Sequence, residues 1–85
     1  MQDYDEAIRL DPQDATAYYN RGADYRKLGQ PERAIQDYDE AIRLDSNNAK
    51  FYYERGVAYQ RLNQMQRANQ EFDKAFRLDP SFKRS

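Results

Sequence analysis

At 85 residues the chain has room for one small domain with a thin core, because a domain of this size buries only about 60–65% of the surface its unfolded chain exposes. Charged residues make up 34% and mean hydropathy is −1.28, a balance that disordered chains share, yet eight Tyr and four Phe are far more than a solvated tail needs. The absence of Cys and His excludes disulfides, thiolate chemistry and imidazole bases, and a net charge of −1 gives no broad attraction to nucleic acid or anionic membrane.

The chain opens on Met1-Gln2-Asp3-Tyr4-Asp5-Glu6, acidic and unlike a targeting segment. No apolar run approaches the roughly 18–20 residues of a membrane span, so the default expectation is a cytoplasmic protein without a membrane partner. Gln2 to Asp11 reads QDYDEAIRLD, Gln36 to Asp45 repeats it unchanged, and Gln70 to Asp79 reads QEFDKAFRLD, which sets a period of 34 residues. Ala17 to Gly22 matches Phe51 to Gly56 at the same offset, as do Tyr25 with Tyr59, Leu28 with Leu62 and Ala34 with Ala68. A fixed period of this length marks a repeat architecture, in which each unit buries its apolar face against the next.

The first segment predicts a helix that ends near Pro12, since proline cannot continue the backbone ladder. Asp14 and Asn48 stand where N-caps are wanted, before Ala15 and Ala49. Tyr18, Gly22 and Tyr25 then fall on one helical face. Gly29 and Asn63 suit the left-handed backbone of a helix end, and Pro31 suits the first turn of the helix that follows. There Ala34, Tyr38, Ala41, Ile42 and Leu44 form an apolar stripe. Pro80 ends the last helix as Pro12 ends the first, while the middle unit has Ser46, Asn47 and Asn48 at that turn. Such short connections make consecutive helices antiparallel neighbours. Gly22, Gly56 and the recurring Ala34, Ala41, Ala68 and Ala75 allow close approach, with the tyrosines as knobs whose hydroxyls reach water or a backbone group.

The order of Tyr18, Gly22, Tyr25, Gly29, Ala34, Tyr38 and Ala41, and again of Tyr52, Gly56, Tyr59, Ala68, Phe72, Ala75 and Pro80, resembles the tetratricopeptide repeat signature over nearly the whole chain. The resemblance implies an all-α fold of antiparallel helix-turn-helix repeats stacked in a right-handed superhelix, acting as a protein-interaction module. In this frame residues 1–12 are the second helix of a truncated repeat, 15–48 and 49–82 are full repeats, and 83–85 are a tail. Arg21 and Arg55 depart from the family, which commonly has Leu there; their stems can cover apolar surface while their heads reach solvent. Asp24 replaces a small apolar residue and has Arg21 and Lys27 within pairing distance on the helix.

No catalytic constellation stands out. Asp3, Asp5 and Glu6 recur as Asp37, Asp39 and Glu40, which reads as a solvated helix face, and there is no phosphate loop, metal cluster or cofactor motif. The expectation is a non-enzyme without cofactor or metal. Binding of single-stranded nucleic acid by Arg26, Lys27, Lys50 and Arg61 beside Tyr19 and Tyr53 is set aside because the overall charge is wrong for it.

The family's concave surface is lined by the first helix of each hairpin. Here that implies a peptide groove of Tyr19, Asn20, Ala23, Arg26, Lys27, Lys50, Tyr53, Glu54, Val57, Gln60 and Arg61, net basic and suited to a carboxylate-bearing protein or peptide segment. The bland alternative is that these are ordinary exposed residues of a spacer. Asn20 and Lys50 match two places of the clamp with which some family members hold chaperone tails, but Glu54 replaces its Arg and is expected to repel a carboxylate, and a preceding first helix is missing, so the expectation is that the chain is not such a clamp. A structural role competes with the groove. Open stack ends would expose Tyr4 and Ile8 on one side and Phe72, Phe76 and Phe82 on the other, favouring homo-oligomers through head-to-tail or two-fold contact. Alternatively Phe82 folds back over the last helix. The frame reads as a piece of a longer array, a designed piece, or a protein that covers its own ends. Substitutions such as Asp24, Met65 and Asn69 favour natural duplication over design.

Overall fold

The structure, a computed structural model, describes residues 2–82, the side chain of Gln2 excepted; the predicted tail at 83–85 lies outside the described residues. Five helices follow one another: α1 Gln2–Leu10, α2 Ala15–Lys27, α3 Pro31–Leu44, α4 Ala49–Arg61 and α5 Met65–Leu78. The described residues contain no strand. Each helix packs on the next along the chain, and α2 also meets α4, so hairpins α2–α3 and α4–α5 stack with their first helices side by side. The fold is an all-helical α–α superhelix.

The local signals act as their chemistry requires. The Asp14 carboxylate accepts from the backbone N–H groups of Thr16 and Ala17 at 3.1 and 3.3 Å, and the Asn48 carbonyl oxygen from that of Lys50 at 3.0 Å, each satisfying donors a helix start leaves unpaired. Gly29 and Asn63 adopt φ of 77° and 59°, the left-handed turn that ends α2 and α4. Pro31 opens α3.

Proline is not what the three second-type helices share at their ends. Asp11, Asp45 and Asp79 each donate a backbone N–H to the carbonyl of Ala7, Ala41 and Ala75 at 2.9 Å. Their carboxylates then accept from the N–H of Gln13, Asn47 and Ser81 at 3.1, 3.4 and 3.0 Å. This aspartate turn works at Asp45 although Ser46 replaces the proline.

Close approach within each hairpin depends on the missing Cβ at Gly22 and Gly56. A Cβ at Gly22 would lie 2.8 Å from Tyr38 Cε1 and 3.2 Å from the Ala34 carbonyl oxygen; at Gly56 it would lie 2.7 Å from Phe72 Cε1 and 3.2 Å from the Ala68 oxygen. Ala34, Tyr38, Ala41, Ala58, Ala68 and Ala75 are fully buried in consequence. The Tyr52 hydroxyl donates to the Ser46 carbonyl at 2.9 Å, the backbone partner expected of a buried tyrosine.

Two further expectations need correction. The Arg21 and Arg55 heads do not simply reach solvent. Arg21 donates from Nε and Nη2 to both oxygens of Asp37, at 2.9 and 2.7 Å, and from Nη1 to Asp5 at 2.9 Å. Arg55, one repeat later, bridges Glu71 and Asp39 in the same way. Each arginine thus ties its own hairpin to the helix before it. Asp37, read as part of a solvated face, is only 5% exposed, and it is this acid, not Asp24, that engages Arg21. The bond to Asp37, reinforced by Asp5, holds the Arg21 guanidinium above its usual range against the opposing effect of burial.

Candidate functional site

The predicted groove residues all lie on α2 and α4, the two helices that meet across the hairpin junction. Lys27, Lys50 and Arg61 are exposed, and Tyr19, Asn20, Ala23, Arg26, Tyr53, Glu54, Val57 and Gln60 are half-buried. The two tyrosines are not free-standing platforms. The Tyr19 ring lies 5.1 Å from that of Phe51 and 6.0 Å from Tyr38, and the Tyr53 ring lies 5.3 Å from Phe72 and 5.5 Å from Phe82. Aromatic neighbours therefore buttress both rings.

Charge on this face is arranged less simply than the sequence suggests. Arg26 of α2 meets Glu54 of α4 at 3.3 Å, each side chain 21% exposed. Glu54 is thus an ion-paired carboxylate and not a lone repulsive charge. The contact is close without being an aligned hydrogen bond: Arg26 Nε, Glu54 Oε1 and the Tyr38 hydroxyl are all buried and lack hydrogen-bond partners. Burial pushes the Tyr38 hydroxyl up to about 12, with Arg26 opposing and Glu54 adding to the shift. Burial also raises Tyr19, again with Glu54 adding and Arg26 opposing. Sequence reasoning missed this trio because Tyr38 belongs to α3 and reaches Arg26 and Glu54 only once the hairpin closes. Its signal was a break in the repeat, since the 34-residue counterparts of Arg26 and Tyr38 are Gln60 and Phe72.

The proposed self-association residues separate. Tyr4 and Ile8 are half-buried on α1, and Phe76 is 46% exposed on α5. Phe72 is 8% exposed, packed against Gly56 and Tyr53, and is withdrawn from an exposed end: it occupies the inward position held by Tyr38 one repeat earlier. Phe82 packs on the cluster of Ala49, Tyr52 and Ala75, as the fold-back alternative anticipated. Head-to-tail stacking would not continue the repeat, because α1 and α5 are both second-type helices and continuation requires a first-type helix beside each. Among the described residues no group of acidic side chains has the geometry of a metal site, and no helix is long and apolar enough to cross a membrane.

Comparisons with known proteins agree with this architecture. A family model described as TPR repeat matches residues 22–63, and two described as tetratricopeptide repeat match 3–36 and 49–82. No curated protein sequence is a significant match. Among solved structures, the Arabidopsis OM64 TPR domain superposes with a TM-score of 0.91 at 38% identity, over 94% of this chain and 66% of that one. The second TPR of Spaghetti (RPAP3), solved bound to the HSP90 peptide SRMEEVD, gives 0.86 at 32% identity over 89% and 70%. MamA gives 0.86 at 28% identity over 91% of this chain, which spans 45% of the MamA chain. With a 34-residue period, glycine-mediated hairpins and these matches in hand, the chain belongs to the tetratricopeptide repeat family.

Proposed function

We propose that the face formed by α2 and α4 binds an extended, acidic segment of another protein, and that the chain acts by binding and not by catalysis. One observation carries this reading. Arg26, Lys27, Lys50 and Arg61 belong to α2 and α4 of a chain whose net charge is −1, and Glu54, the acid among the predicted groove residues, is paired with Arg26. Lys50 and Arg61 stand at opposite ends of α4, about 16 Å apart at the helical rise of 1.5 Å per residue, which about five extended residues would span. A segment with acids at that spacing meets a cation at each end and the buttressed rings between. The Spaghetti domain, bound to a peptide with adjacent glutamates, supports the class of ligand.

Fluorescence anisotropy with labelled acidic peptides, SRMEEVD included, tests the reading. Lys50→Glu is expected to weaken binding about tenfold, or 1.4 kcal/mol, with helicity by circular dichroism unchanged. Unaltered affinity in Lys50→Glu and in Arg61→Glu would defeat it. A second reading, association of two copies through the outer face of α5, is favoured by Phe76, which is 46% exposed where its counterpart Ile42 packs against the core.

A further inference from the structure

Granting that the concave face holds an acidic segment, we infer that Arg26 and the Tyr38 hydroxyl form a carboxylate-recognition site on the groove floor, and that Glu54 is its resident occupant, displaced when a ligand carboxylate enters. Three observations meet at this point. The Tyr38 side chain is fully buried, its hydroxyl beside the Arg26 side chain without a well-formed hydrogen bond. Buried polar atoms without a well-formed hydrogen bond are rare in packed interiors, and each calls for an explanation. The guanidinium and carboxylate touch at 3.3 Å without an aligned hydrogen bond, so the pair forgoes the two-pronged geometry that makes arginine–carboxylate contacts strong. Arg21 with Asp37 attains that geometry in the same hairpin, at 2.9 and 2.7 Å; the looser fit at Arg26 belongs to this place and not to the fold.

The cluster also breaks the repeat. Gly22 and Gly56, or Arg21 and Arg55, recur at 34 residues, whereas Arg26 and Tyr38 become Gln60 and Phe72 in the next repeat, although Tyr38 is itself preceded by Tyr4 one period earlier. In the next repeat the cation becomes a neutral amide and the hydroxyl is lost, as expected when the two serve a single ligand. Glu54 then sets specificity: its tethered carboxylate competes with a ligand's, so the groove favours segments whose acid is held in register by contacts at Lys50 or Arg61.

The test uses the full chain. Glu54→Gln keeps the shape and removes the competing charge. Acetate, with chloride at matched ionic strength, is titrated while the Arg26 Nε–H signal is followed by NMR, and acidic-peptide affinity is measured in parallel. The expected result is an acetate-dependent shift of Arg26 in Glu54→Gln, a much weaker one in the parent, a diminished response in Tyr38→Phe/Glu54→Gln, and peptide affinity raised about tenfold. No Arg26 response in Glu54→Gln, or one that Tyr38→Phe leaves undiminished, overturns the site. An acetate response without peptide binding by either protein would uphold the site and defeat the groove reading; peptide binding that Glu54→Gln fails to strengthen would do the reverse. Should Glu54→Gln lose helicity, Arg26→Gln/Tyr38→Phe, which installs the pair found in the next repeat, supplies the decision. It is expected to weaken, at one position of the peptide, the parent's preference for Glu over Gln, and a preference unchanged at every position overturns the inference.

Discussion

Tyr38 shows how one buried oxygen can influence a whole domain. Its ring fills the space opened by Gly22, while its buried hydroxyl lies beside Arg26 without a well-formed hydrogen bond. An unpartnered buried polar group costs about 1–3 kcal/mol, and Phe72 occupies the equivalent place in the next hairpin. Tyr38→Phe is therefore expected to raise stability in urea at neutral pH by about 1 kcal/mol. It has a pH signature as well. Below pH 10 the hydroxyl is neutral in both folded and unfolded chains; above that the unfolded chain ionises first, because the folded-state value is about 12. The parent should thus lose about 2 kcal/mol relative to Tyr38→Phe between pH 10 and 12. Equal alkaline unfolding of the two proteins would show that the hydroxyl is solvated in the folded state.

At the scale of elements, the arginine bridges decide how one hairpin sits on the last. Arg21 joins α2 to α3 through Asp37 and to α1 through Asp5, and Arg55 repeats the arrangement from α4. The inner acid matters most, because Asp37 is 5% exposed while more than half of the Asp5 side chain is exposed. Solvated pairs contribute little, but stranding a buried carboxylate is costly. Arg21→Leu, which installs the residue common in the family, is expected to destabilise the chain by about 3 kcal/mol, and Arg21→Leu/Asp37→Leu to recover most of the loss. Thermal and urea melts of both variants check this, and a harmless single substitution would mean that Asp37 finds another partner. The helices themselves were legible from local signals: Asp14 and Asn48 at starts, Gly29 and Asn63 at ends. The bridges were not, because Arg21 and Asp37 lie 16 residues apart and meet only after α2 and α3 fold back on each other. Retention of the pair as Arg55 and Glu71 was the available clue.

For the molecule as a whole, the proposed association of two copies turns on the aromatic residues of and beyond α5. The Phe82 ring, packed against Tyr53 at 5.5 Å, takes the place that Phe51 holds against Tyr19, and so covers part of the last hairpin. Phe76 stays exposed, and burying such a ring would contribute about 1.5–3 kcal/mol. If two copies associate through α5, light scattering across a dilution series should show a concentration-dependent dimer that Phe76→Ser converts to monomer. A dimer surviving that change would place the contact elsewhere. By itself the sequence determined the period, the five helices and their antiparallel order, because caps, turn residues and helical spacing act over a few positions. Tertiary structure alone decided that Phe72 points inward, that Asp37 is buried beneath Arg21, and that Tyr38 reaches Arg26 and Glu54. Each of these depends on which side chains meet between helices, and that geometry exists only when Gly22 and Gly56 let the hairpins close.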